Sequence, residues 1–522
     1  MTENDNLHDY TSKVPHFTFA ETLAEQEAQL SSNPLLQRMS ASRKAYEGDP
    51  YRPIYHYVNP EHMLNDPNGL CFWQGQWHMF YQAYPPEDPR QHWGHAVSSD
   101  LIHWRDLPYA IYPNPERCCF SGSTLVEDKR VIAMYHGTVV GNMVAVSSDP
   151  LLLNWEKVTG HAVIPIRGVG ESPLPYRVFD PCIWYKGGMY YALSAGQLPG
   201  PGGRRMRADF LFRSPDLANW EYLHPFVEDD VFTLVGDDGA CPYFWPIGDR
   251  HMLLFFSHMS GGQYLLGDYD QQRDKFAVTA HGTFNNGPAW PSGVHAPSAT
   301  PHGKDVVVIF NMNSGKPTEG WNQIMTLPRR LTLVGHNEIG IEPAGDVHSL
   351  RVTHMHTTSR VLPANKDVSL NAVQGNALEI DAIIAPSSAP VIEMDVLSSP
   401  DKQEYTRIAF YRDRGYRDRS QDNGRQFSVI TLNMAHASIL PDVQPRAPEI
   451  AQVYVAPDEP LELQVFIDKS VVEVFVNGRQ CVALRVYPGR SDSTGVSLRS
   501  VGQSSQLISL DAWEMENIYK SV

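Results

Sequence analysis

Asp66 and Asp180 each stand directly before a proline, in "NDPNG" and "FDPCI", and both fall at the same phase of a repeated pattern. One Asp-Pro dipeptide is ordinary turn chemistry, because the Asp carboxylate bonds to the backbone of its own turn. Two of them aimed into one cavity make a chemical pair. An ionised carboxylate can attack or stabilise an oxocarbenium-like carbon while a second, protonated group supplies a proton to the leaving oxygen. No run of Lys or Arg lies nearby, so the pair suits a neutral polyol, and the reaction it suits is glycoside cleavage. Trp73, Trp77, Phe80, Tyr81, Gln82 and Trp93 add flat apolar faces and an amide to the same region. Gln82 and Trp93 are read as sugar contacts, and the others as core.

A repeat has to bring these residues together. "DPNGLCFWQGQWHMFYQ" starts at Asp66 and "SGSTLVEDKRVIAMYHG" at Ser121. "DPCIWYKGGMYYALSAG" starts at Asp180, "CPYFWPIGDRHMLLFFSH" at Cys241 and "APSATPHGKDVVVIFNMN" at Ala296. Each is an opening turn, a short apolar strand, a Gly- or charge-bearing turn and a stronger apolar strand, recurring every 55 to 61 residues. A second echo, "SSDLIHW", "SSDPLLLNW" and "SPDLANW", ends on Trp104, Trp155 and Trp220. This period fits four strands and their connections, and five repeats predict a five-bladed β-propeller. An irregular β-rich domain with chance similarity is the plainer alternative.

The flanks differ in character. Residues 20 to 46 have helical composition and predict one or two peripheral helices. Past residue 345 the repeat stops. "LELQVFIDKSVVEVFVNGRQCVALRVY" alternates, with Leu461, Leu463, Val465 and Ile467 on one face and an Asn477-Gly478 turn after the second run. The expected organisation is a helical extension over 1–49, the propeller over 50–345 and an antiparallel β-sandwich over 346–522, an all-β fold class throughout.

A formal net charge of -17 argues against nucleic acid and anionic membranes, which both need clustered cations. No stretch is apolar for long enough to span a bilayer. The start of the chain carries no basic-then-apolar leader. Six cysteines without a CxxC spacing suggest neither a disulfide scaffold nor a zinc site, and the adjacent Cys118-Cys119 pair reads as packing. A cytoplasmic protein acting on a small-molecule carbohydrate, with no cofactor and no metal, is the expectation.

The motifs "HMLNDPNGL", "HMFYQ", "HWGHAVSSDLIHW" and "FSGS", with an Asp-Pro in the third repeat, resemble the β-fructofuranosidase family, glycoside hydrolase family 32. "LQVFIDKSVVEVFVNG" and "RVYP" resemble its C-terminal module. The resemblance covers roughly residues 50 to 515. It implies retaining, metal-free cleavage of β-fructofuranosyl linkages in sucrose, short oligosaccharides or fructans. Asp66 then matches the nucleophile and Asp180 the residue that grips two fructose hydroxyls. Asn65, Gln82, Trp93 and Ser121 match sugar-contacting positions.

Two positions depart from the family pattern. Phe179 stands where an arginine usually precedes Asp180, and the nearest arginine is Arg177. In the fourth repeat, "GDDGACPYFWP", Ala240 occupies the place of the family's acid glutamate. Strand alternation puts Asp238 on the face of residue 240, roughly 6–7 Å earlier. Asp238 is therefore the expected proton donor, with Asp237 as its substitute near the substrate. A sugar-binding protein without an acid, a transferase, and a hydrolase of another furanoside are the competing readings.

Overall fold

The computed structural model describes residues 9–166, 175–419 and 424–519. The first eight residues of the expected helical extension and the last three of the C-terminal domain lie outside them. Two helices come first. In α1 (Leu23–Ser31) the Thr22 side chain accepts from the Glu25 amide. In α2 (Pro34–Ala45) the Asn33 side chain accepts from the Leu35 and Leu36 amides, with proline in the first turn. α2 buries Leu35 and Met39 against Met79 and Trp104 of the first sheet, and Arg43 reaches Asp106 at 2.5 Å.

Five sheets of four or five strands, antiparallel except for the short edge strand Val227–Glu228 of the fourth, follow one another among the described residues. Their first strands are β1 (Leu64–Trp73), β2 (Cys119–Val126), β3 (Pro181–Lys186), β4 (Ala240–Ile247) and β5 (Val294–His302). Four of the five motif starts lie within these strands, and Asp180 stands just before β3. The five strands neighbour one another in a closed cycle, with β5 returning to β1.

At least one hydrogen bond crosses every junction of that cycle. Thr124 Oγ1 donates to the Gly69 carbonyl at 3.0 Å, and the Ile183 amide to Ser123 Oγ at 2.9 Å. The Phe244 amide donates to Cys182 Sγ at 3.4 Å, Trp245 Nε1 to the Ala299 carbonyl at 2.9 Å, and the Leu70 amide to Ser298 Oγ at 2.9 Å. Strands this close demand glycine at motif positions. Gly69 sits at φ +50°, and a Cβ there would meet Thr124 Cγ2 at 2.7 Å. At Gly122 a Cβ would meet the Met134 carbonyl at 2.1 Å.

The Trp echo is one turn built three times, between the third and fourth strands of the first three sheets. Leu101, Leu152 and Leu217 adopt positive φ there. Asp100, Asp149 and Asp216 accept backbone amides across the turn. Trp155 lies edge-on to Phe80 of the preceding sheet, ring centroids 5.6 Å apart.

The chain then forms two further six- or seven-stranded antiparallel sheets. The alternation of Leu461–Asp468 feeds two different cores. Leu461, Leu463, Val465 and Ile467 fill the core between these sheets. Phe466 joins instead the core shared with the ring of sheets. The strand Arg351–Thr357 already pairs with Ser505–Met515, so this second region is under way by residue 351. Asn477 and Gly478, at φ 49° and 60°, make the predicted turn.

Charged groups are sealed into the joint. Glu473 Oε1 takes the Leu327 amide at 2.7 Å and faces His56 Nε2 at 3.1 Å, while Oε2 takes Arg329 Nη2 at 2.7 Å. His56 Nδ1 reaches Asp468 at 2.9 Å. All four side chains are essentially without exposure. Removing one partner strands the others in a dry site. Glu473→Ala is therefore expected to cost about 3–5 kcal/mol in urea unfolding, and a loss below about 1 kcal/mol would show that the network is not a structural anchor.

Candidate active site

The opening turns converge at one end of the ring. β1, β2, β4 and β5 each carry a register shift there, at Leu64/Pro67, Cys119/Gly122, Ala240/Tyr243 and Val294/Pro297. A bulge at the start of a strand re-aims a side chain away from simple alternation. Here the bulges turn polar groups inward around a pit.

Asp66 and Asp180 share that pit. Each is 8% exposed, and Cys241 Sγ lies 3.6 Å from Oδ2 of both. Asp66 Oδ2 also accepts Ser121 Oγ at 2.6 Å and Gln82 Nε2 at 3.1 Å. Its other oxygen lies 3.1 Å from His295 Nδ1. Burial alone would raise the proton affinity of Asp66, but the facing His295 imidazole, Ser121 and Cys241 hold it below the ordinary carboxylate value.

Asp180 Oδ2 accepts the Cys241 amide at 2.9 Å, an approach made by Cys241 sitting at φ 50°. Burial pushes Asp180 up to about 7, against the pull of that amide and with the charge of Asp66 adding to the rise. One carboxylate is thus held ionised and the other holds its proton near neutrality. Divergence of this kind marks acid–base chemistry.

Three further predicted residues line up behind the pair. Gln82 donates to Ser121 Oγ at 2.8 Å as well as to Asp66. Asn65 Nδ2 meets Gln82 Oε1 at 3.5 Å and its Oδ1 accepts Asn311 Nδ2 at 3.1 Å. Trp93 is a correction. It has no exposure, donates Nε1 to the Phe120 carbonyl at 2.9 Å and packs on Phe80 and Tyr135. It is the wall behind the site, with no face for a sugar.

The two aspartates of the fourth repeat also part company with the alternation argument. β4 begins only at Ala240, and Gly236 and Gly239 at φ +106° and +65° turn the chain ahead of it. Asp237 is fully buried. Its Oδ1 accepts Ser257 Oγ at 2.6 Å and Ser260 Oγ, and its Oδ2 accepts the Leu234 amide at 2.7 Å. That fastens the loop and leaves Asp237 unavailable to a substrate. Asp238 reaches the rim, but its carboxylate is taken by His258, with Oδ2 2.6 Å from Nδ1 and Oδ1 3.2 Å from the backbone amide.

Two histidines were missed. His295 stands immediately before Ala296-Pro297 as Ala240 stands before Cys241-Pro242, so the repeat phase held the signal. His258 carried none, because it follows the second strand of its sheet (Arg250–Ser257). Both line a cleft of about 730 Å³ beside the pit, with Met259, Asn285, Trp290 and Asn313. Trp290 is 57% exposed, an apolar face suited to a sugar ring.

A ring of sheets converging on two buried carboxylates with opposed proton affinities is the site of a glycosidase. The chain belongs to glycosyl hydrolases family 32. Its residues 56–343 match the family's N-terminal domain and 346–514 its C-terminal domain. It is similar to the levanase of Bacillus subtilis (strain 168), 26% identical over 92% of this chain and 72% of that one. It is 27% identical to the sucrose-6-phosphate hydrolase of Escherichia coli over 84% of this chain and 90% of the relative. The crystal structure of fructan 1-exohydrolase IIa from Cichorium intybus shares the fold, with a TM-score of 0.77 at 20% identity over 90% of this chain and 98% of that one.

The geometry around Trp93 is directly testable. Trp93→Ala is expected to lower stability by about 3–5 kcal/mol, as truncation of a buried aromatic does, read from chemical unfolding. Unchanged stability with weakened sugar affinity would return Trp93 to the substrate.

Proposed function

We propose that the chain is a retaining hydrolase of β-fructofuranosyl linkages, in sucrose or short β-fructosides. Asp66 is the nucleophile and Asp180 the group that holds the fructose hydroxyls. The observation that carries this reading is the shared contact of Asp66 and Asp180 with Cys241, which brings both carboxylates to one place. Ionised Asp66 attacks the anomeric carbon as the bond to the leaving oxygen breaks, giving a fructosyl ester. Water then releases fructose from that ester. Asp180, protonated near neutrality, donates to a ring hydroxyl, and ionised it accepts from one. The names of the relatives, a levanase and a sucrose-6-phosphate hydrolase among them, support fructosyl transfer to water.

The five sheets are read as the blades of a five-bladed propeller over residues 50–345, supported by the cyclic contact of their first strands. The last two sheets are read as a β-sandwich over 346–522, supported by their single common core. The cleft beside Trp290 receives the leaving group. A cytoplasmic location fits the six unpaired cysteines.

Asp66→Ala is expected to lower turnover of both sucrose and an aryl β-fructofuranoside by roughly 10⁴-fold or more. With methanol as acceptor, the wild-type protein should form methyl β-fructofuranoside. An α product, or an Asp66→Ala protein of wild-type rate, would overturn the reading.

A further inference from the structure

With Ala240 in the place of the family glutamate, the proton for the leaving group must come from elsewhere. Ala240 pairs with Phe256 across β4 and the following strand. Two residues beyond that pair, just past the ends of both strands, stand Asp238 and His258, joined by the 2.6 Å bond between Oδ2 and Nδ1. The second Asp238 oxygen receives the His258 backbone amide, so the carboxylate holds the residue by its main chain as well as by its ring. That arrangement commits Nδ1 to the carboxylate and leaves Nε2 for the cleft that His258 lines. The His258 side chain is 68% exposed, at the rim and not within the pit. A proton donor to a departing aglycone belongs there.

We propose that His258 is the general acid of this site and that Asp238 positions it, an inference that rests on Asp66 being the nucleophile. The imidazolium gives its Nε2 proton to the glycosidic oxygen as the bond to the anomeric carbon breaks. That bond's electron pair leaves with the oxygen, and Asp66 forms the ester. The neutral imidazole then takes a proton from water as the water oxygen attacks the anomeric carbon and the Asp66 carboxylate departs. This restores the imidazolium.

The surroundings favour the charged ring. The bond to Asp238 raises the proton affinity of His258 above that of a free imidazole, against the effect of burial, and the charges of Asp238, Asp66 and Asp180 act in the same sense. Phe256 lies edge-on at 5.3 Å and the His295 ring at 6.1 Å. The other two candidates serve differently. His295 faces the nucleophile itself at 3.1 Å, on the Asp66 side of the pit. Asp180 has Oδ2 bound by the Cys241 amide in the depth of the pit.

The test compares wild type, His258→Gln, Asp238→Asn and Asp66→Ala on sucrose and on 4-nitrophenyl β-fructofuranoside, whose leaving group needs no proton. His258→Gln is expected to lose roughly 10²–10⁴-fold in kcat/KM on sucrose and less than about 10-fold on the aryl glycoside. The alkaline limb of its pH profile should vanish. Asp238→Asn should keep that limb but move it to lower pH by about one unit. A shift of this kind separates positioning from mere packing. Because His258 is exposed, its variant should melt with the wild type. Equal losses on both substrates, or an alkaline limb intact in His258→Gln, would overturn the proposal and assign the proton to Asp180. If Asp66→Ala keeps wild-type activity, it is the underlying nucleophile assignment that fails.

Discussion

Two carboxylates buried within reach of one sulfur cannot both be ionised without large cost, because burial and the like charge of the neighbour both disfavour the second anion. The site answers this constraint asymmetrically. Asp66 gathers Ser121, Gln82 and Cys241 on one oxygen and faces an imidazole with the other. Asp180 receives one amide and the Cys241 thiol, and retains its proton to about pH 7. The polar residues of the first two sheets, and the left-handed turn at Cys241, follow from the need to keep these states apart.

That arrangement is only as exact as the ring that carries it. At least one hydrogen bond at each junction ties the first strands to each other, so displacing one opening turn displaces its neighbours. The side-chain alternation of the strands beyond residue 460 extends this support outward. One face builds a core of its own and the other presses Phe466, Glu473 and Phe475 against the ring. The second region therefore braces the first from behind, through packed apolar surface and a closed charge network.

The fourth sheet shows how an acid function can leave one strand and reappear across the ladder. At residue 240 only a methyl group remains, in a small cluster with Cys241, Phe256 and Ala296. A carboxylate and an imidazole stand just beyond the pair of Ala240 and Phe256, and the bond to Asp238, more than the charges deeper in the pit, raises the proton affinity of the imidazole. An imidazolium donor differs from a carboxylic acid donor in one respect that matters. It loses positive charge on giving up its proton, whereas the acid gains negative charge beside an already anionic pit.

Repeat spacing, motif chemistry and alternation were local properties, so the sequence by itself determined the all-β architecture and the phase of the opening turns that carry Asp66 and Asp180, while Ser121 and Asn65 were singled out by family resemblance. Even the capped turns ending at Trp104, Trp155 and Trp220 were legible, since each is made within a few residues. What distance in the chain conceals, only the tertiary structure decided. Trp93 has the composition of a sugar platform but is sealed by Phe80 and Tyr135. Asp237 and Asp238 are adjacent, yet positive-φ glycines on either side send one into the core and the other to the rim. His258 acquires its meaning from a residue twenty positions away that strand pairing brings opposite it. A bulge breaks the alternation from which a side chain's direction is read, and cross-strand neighbours are set by register, which no single strand encodes.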